Sequence, residues 1–151
     1  MNKRKIVIIA LIVIGVMVVT ALVAPWVIRC RKTLGLTISV TDATPSSATL
    51  NCVRGLGVVA GSVETGSAYY LERQTPNGWE KVEELPTDEN VAWTMEAIKI
   101  PFGNSQKTLN YGNIYGELQP GTYRVCKAYF TYRENSGAGR SVWLYAEFEI
   151  K

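Results

Sequence analysis

From Ile6 to Ile28 the chain carries no charge: IVIIALIVIGVMVVTALVAPWVI is 23 residues of almost pure hydrocarbon. About 20 apolar residues at ~1.5 Å rise cross the hydrocarbon of a bilayer, so this run predicts one membrane-spanning helix. After Lys32 the apolar period drops to two. Leu36, Ile38 and Val40 alternate in LTISVTD, Pro45–Ser47 turns the chain, and Leu50 and Cys52 share a face in ATLNCV. Arg54–Gly66 holds Gly55, Gly57, Gly61 and Gly66 without a period and reads as a loop. SAYYLERQ and WEKVEEL follow as strands joined at Asn77-Gly78, where a type I′ turn is expected because its two central residues need φ > 0. Ile98 and Ile100 alternate up to Pro101, YGNIYGEL reads as one helical turn, and GTYRVCKAYFTY is a long strand. RENSGAGR is a hairpin loop, and SVWLYAEFEI puts Val142, Leu144, Ala146, Phe148 and Ile150 on one face.

About seven strands, with turn signals roughly every ten residues and no amphipathic helix, predict an all-β antiparallel sandwich of two packed sheets. The expected organisation is an N-terminal tail over 1–5 on the cytoplasmic side, a membrane anchor over 6–28, a juxtamembrane stalk over 29–35 and the sandwich over 36–151.

Charge sharpens this picture. The formal net charge is +3, yet six of the 16 bases (Lys3, Arg4, Lys5, Arg29, Arg31 and Lys32) flank the apolar run. The ten bases beyond Lys32 face 13 acids, so the globular part is acidic, the reverse of a nucleic-acid binder. The flanking bases suit the two headgroup layers. A secretory signal has an apolar stretch of about 7–15 residues before small residues at the cut, and this run is longer. VTA ending at Ala21 fits a cleavage site weakly and LVA ending at Ala24 is followed by Pro25, so an uncleaved signal anchor is expected. Cys30 follows a charged Arg29, unlike a lipoprotein cysteine. With three bases on each flank the positive-inside rule does not choose a direction, and the free amino terminus tips it to N-inside.

Candidate chemistry is sparse. The chain has no His, which removes His-dependent nucleophiles and His-ligated metals, and its three Cys (30, 52 and 126) form no CxxC pair. GLGVVAG lacks the Lys-Ser/Thr of a phosphate loop. Glu83, Glu84, Asp88 and Glu89 read as a solvated acidic rim rather than a Ca²⁺ site. No catalytic residue, cofactor or metal ligand is assigned.

Several segments together resemble the bacterial immunoglobulin-like domains of Gram-positive envelope proteins: Tyr70-Leu71-Glu72, NGWEKV around Trp79, YGELQPGTYRVCK from Tyr115 to Lys127, and AEFEIK from Ala146 to Lys151. The resemblance covers most of the chain beyond the anchor. It implies a sandwich outside the cytoplasm with no catalytic residues, and it says little about ligands. Two features depart from it: the Arg54–Gly66 loop is Gly- and Val-rich, and Cys52 and Cys126 stand at positions that are apolar or aromatic in most relatives.

Those two cysteines nonetheless fall on the strands where immunoglobulin domains place an inter-sheet disulfide. Alternation opposes the bridge, because Tyr123 and Val125 share a face that points Cys126 the other way; a disulfide and two semi-buried thiols both stay open. Pro120-Gly121 turns the chain so that Tyr123 enters the strand as a tyrosine corner, its hydroxyl bonding upstream backbone. Val58 and Val59 in the glycine loop, and Trp93 in the polar stretch before Ile98, are the candidate partner contacts, while Trp79 and Trp143 read as packing residues.

The expected function is a non-catalytic interaction or adaptor module, held in the bilayer through residues 6–28, with an envelope protein or wall polymer as partner. The alternative is a wall-associated spacer or carbohydrate binder, which predicts that Tyr70, Trp79, Tyr132 and Trp143 align outward on one sheet. A helix that packs within a membrane complex is a third reading, weakened by the absence of GxxxG.

Overall fold

The computed structural model describes residues 3–55, 61–86, 96–133 and 137–151. Its first element, helix α1, runs unbroken over Lys3–Thr33 and includes Pro25, whose missing N–H leaves the Ala21 carbonyl without its helical donor. At ~1.5 Å per residue the helix is about 46 Å long, more than the ~30 Å hydrocarbon core. Within Leu11–Thr33 an 18-residue window has a mean hydropathy of 2.7, and none of that window is buried by the rest of the chain. Apart from Val27, the large apolar side chains from Leu11 to Ile28 stand 46–72 % exposed, so the helix is long and apolar enough to cross a membrane.

The expected stalk is not an extended linker. Residues 29–33 complete α1, Leu34 adopts φ 56°, and the Gly35 N–H returns 3.1 Å to the Cys30 carbonyl. This is a Schellman cap with leucine in the left-handed position glycine usually takes. The strain is tolerated because Leu34 is buried in the sandwich core and Cys30 is buried beside it.

Beyond the cap come strands β1 (Leu36–Thr41), β2 (Ala48–Arg54), β3 (Ser62–Thr65), β4 (Tyr70–Thr75), β5 (Gly78–Lys81), β6 (Ile98–Lys99) and β7 (Gly103–Leu109). A single helical turn α2 (Gly112–Tyr115) precedes the long β8 (Gly121–Arg133) and β9 (Gly137–Ile150). One sheet has the order β1-β2-β7; the other runs β5-β4-β8-β3-β6, with β9 pairing along β8. All pairings are antiparallel. The first half of β8 pairs with β4 and its second half with β3, so both shorter strands share one edge of it.

Two of these strands escape the sequence reading. β3 lies inside the glycine-rich segment, where only Val63 supplies a large apolar residue. β7 has one buried residue, Leu109, and is a strand because its backbone completes the ladder of β2. The β4–β5 hairpin forms as expected, but its two-residue loop is Pro76-Asn77, Thr75 opposing Gly78. Gly78 has φ 123° while Asn77 has no positive φ, so the turn is not type I′. Pro76 fixes φ near −65° and rules that turn out.

The core lies between the sheets in two clusters. The distal one gathers Leu50, Leu71, Tyr111, Tyr123, Val125, Phe148 and others; the one next to the anchor gathers Leu34, Leu36, Cys52, Val63, Ile100, Tyr129 and Leu144. Tyr111 ties the β1–β2 turn to the core by donating its hydroxyl to the carbonyls of Thr44 and Ser47. The expected inward face of β9 is observed for Leu144, Ala146, Phe148 and Ile150, all buried.

Candidate functional site

Along β8 the inward residues are Tyr123, Val125, Lys127 and Tyr129; the even-numbered ones between them face out. The antiparallel register carries that parity into the neighbouring strands. Tyr70 lies opposite Cys126 and Cys126 opposite Tyr145; Glu72 lies opposite both Lys81 and Arg124; Ala128 lies opposite Trp143. The outer face of the larger sheet therefore carries Tyr70, Trp79, Tyr132, Trp143 and Tyr145, with Arg124 between Trp79 and Tyr145. From Arg124 to Tyr132 along β8 this face extends roughly 26 Å, at ~3.3 Å per residue.

Arg124 organises its distal end. Its Nε donates to Glu72 Oε2, and its guanidinium lies 4.4 Å from the Trp79 ring centroid and 4.6 Å from that of Tyr145. A carboxylate holds the guanidinium while two rings flank it, a cation–π arrangement that fixes all three side chains. Tyr70 packs on Trp143 with centroids 5.4 Å apart at 56°, and the Lys81 ammonium stands 5.8 Å over the Tyr70 ring. Trp143, Tyr145 and Tyr132 are 49, 48 and 44 % exposed, so the rings offer faces to solvent instead of filling a core. For Trp143 this overturns the expectation of a packing residue. β9 places it on the outward side, where it contacts Tyr70 and keeps about half of its surface exposed.

Cys126 lies beneath this layer, fully buried, with its thiol against Tyr70 and Glu72. Burial first, and the Glu72 carboxylate next, push the thiol up to about 12. Cys52 faces the opposite way, into the inter-sheet space, where it meets the Tyr129 hydroxyl and the Ser105 side chain. Burial raises this thiol too. Both cysteines are free thiols, and so is Cys30. The sheet itself separates Cys52 from Cys126, and the inward position beside Cys126 on β8 is taken by Lys127. Tyr123 is buried and donates its hydroxyl to the Gln119 carbonyl at 2.8 Å, the geometry of a tyrosine corner. Gly121, just before it, has φ 154°.

A family model described as a bacterial Ig-like domain matches residues 32–149. The chain belongs to the bacterial Ig-like domain family. No curated protein and no solved structure matches it. The match begins at Lys32, within the last turn of α1, so the Ig-like domain takes in the buried junction with the helix as well as both sheets.

Of the residues the sequence singles out, Tyr70, Trp79, Tyr132 and Trp143 come together on the outer face of this Ig-like domain. Val58, Val59 and Trp93 lie outside the described residues, as do Asp88 and Glu89 of the acidic stretch. Among the described residues no group of three or more His, Cys, Asp or Glu side chains is placed to hold a metal ion. The sequence reading misses Arg124, Tyr145 and Lys127. The first two are legible from strand parity once β8 and β9 are in register. Lys127 is not, because a lysine on an inward position contradicts the alternation that defines the face.

Proposed function

We propose that this Ig-like domain is a non-catalytic binding module displayed from the membrane by α1, N-terminus inside and sandwich outside, and that the outer face of its larger sheet engages wall polysaccharide. The observation that carries the reading is the outward alignment of Tyr70, Trp79, Tyr132 and Trp143, the arrangement a carbohydrate binder requires and a purely structural spacer does not. Half-exposed planar rings match the apolar C–H faces of sugar rings, and the Lys81, Glu72, Arg124 and Glu147 side chains between them suit hydroxyl groups. Ig-like domains of this family are typically non-catalytic. The basic residues on both flanks of the apolar run, its length beyond a secretory signal, and the burial of Cys30 and Leu34 in the domain support an anchor that stays attached.

The test is co-sedimentation of the detergent-solubilised full chain with purified Gram-positive wall polysaccharide, beside a pull-down from solubilised membranes of the same cells. Saturable retention on the polymer, weakened about fivefold by Trp143→Ala, is the expected result; stacking contributes roughly 1 kcal/mol per ring. Retention of a single membrane protein with no polymer binding replaces this reading with the adaptor one, since Trp, Tyr and Arg are also the residue types of protein hot spots.

A further inference from the structure

Lys127 is 2 % exposed, inside a sandwich, on a strand whose other inward residues are aromatic or aliphatic. It sits at the seam between the two core clusters, after Val125 and before Tyr129. Its ammonium donates to the carbonyls of Gly66 at 2.8 Å and Ala68 at 3.2 Å. An ammonium has three N–H donors, and among the described residues two of them are taken. Among the described residues no carboxylate pairs with it; the ion pairs are Lys81–Glu84 and Arg124–Glu72. A buried cation without a counter-ion is costly and rarely kept without a use.

The lysine is not sealed in. It lines a cavity of about 210 Å³ in the slot between β6 and β7, the edge strands of the two sheets. Leu50, Ile98, Ile100 and Pro101 supply apolar walls, and Lys99 and Lys107 are further cations in the lining. Among the described residues no acidic one lines the cavity. Like charge from Lys107, added to burial, strains the Lys127 ammonium in the empty cavity, and an anion placed there relieves both. We propose that this cavity is a binding site for a small monocarboxylate with an apolar tail, its carboxylate on Lys127 and Lys107 and its tail against Ile98, Ile100 and Pro101. A phosphate suits it less well: it brings nearly two charges and no apolar tail to cover Ile98, Ile100 and Pro101. The site lies between the sheets and is independent of the aromatic outer face.

The experiment is calorimetric titration of the full chain in lipid nanodiscs with hexanoate, with hexanol and hexylammonium as matched tails and empty nanodiscs as the blank. Hexanoate is expected to give a saturable signal above the blank, and Lys127→Met to weaken it at least about tenfold, as for loss of a charge-assisted hydrogen bond. Ile98→Phe, which fills the slot and keeps the lysine, is expected to weaken it as well and carries the test if Lys127→Met fails to fold. A signal no larger than the blank overturns the proposal. So does hexanol binding as tightly as hexanoate, which would make the cavity merely apolar.

Discussion

Among single residues, Lys127 departs furthest from what strand alternation dictates, and its protonation has a measurable consequence. Burial, then the like charge of Lys107, lowers its ammonium from 10.5 to about 8. Below about pH 8 folded and unfolded chains both hold the proton, and the folded state bears the full cost of a desolvated cation, on the order of 3 kcal/mol. Between about 8 and 10.5 only the unfolded chain keeps it, so this residue's penalty fades as pH rises through that window. Cys126 and Tyr111, both pushed up to about 12, act in the opposite direction at alkaline pH because the unfolded chain ionises first. Subtracting Lys127→Met from the wild type cancels their contribution. Urea unfolding at a series of pH values is expected to show the wild type gaining about 3 kcal/mol on the variant from neutral pH to about 10.5. A pH-independent difference would place the ammonium in water.

Among the elements, the junction of α1 with β1 decides how the molecule is built. A left-handed leucine caps the helix and fills the core at once, so the helix enters the Ig-like domain as one of its packed elements. Leu34→Ala is expected to cost the sandwich about 2–5 kcal/mol, the range for deleting a buried leucine side chain. Leu34→Gly loses the same contacts but removes the strain at φ 56°, and is expected to unfold at higher denaturant than Leu34→Ala, by about 0.5–1 kcal/mol. Tryptophan fluorescence of the full chain in nanodiscs reads both. Alanine above glycine would mean that the cap is not left-handed. The hairpin at Pro76-Asn77 makes a related point. The Asn-Gly signal marks the place correctly, yet the proline before it selects the turn.

For the whole molecule, the question is which side of the bilayer carries the sandwich. Three bases precede Ile6 and three follow Ile28, so the flanking charge leaves the direction to the proposed role, which puts the sandwich outside. Protease added to intact Gram-positive spheroplasts is therefore expected to remove residues 32–151 and spare a membrane-embedded fragment over 6–28. Digestion only after lysis would reverse the orientation.

The sequence by itself determined the layout: an uninterrupted apolar run long enough to cross a bilayer, then period-two alternation that makes two-faced strands, with the inward set of β9 and the corner at Tyr123 visible residue by residue. It also placed Cys126 on the wrong face for a bridge, since parity along a strand is local. Tertiary structure decided what parity cannot. Backbone pairing, which needs no apolar pattern, recruited β3 and β7. Register across β5, β4, β8 and β9 assembled Trp79, Tyr70, Arg124, Tyr145 and Trp143 from four separate segments into one surface. Packing of two sheets with unequal edges left the slot in which a lysine stands where alternation demands an apolar side chain. Those outcomes depend on contacts between residues distant in the chain, and no local signal encodes them.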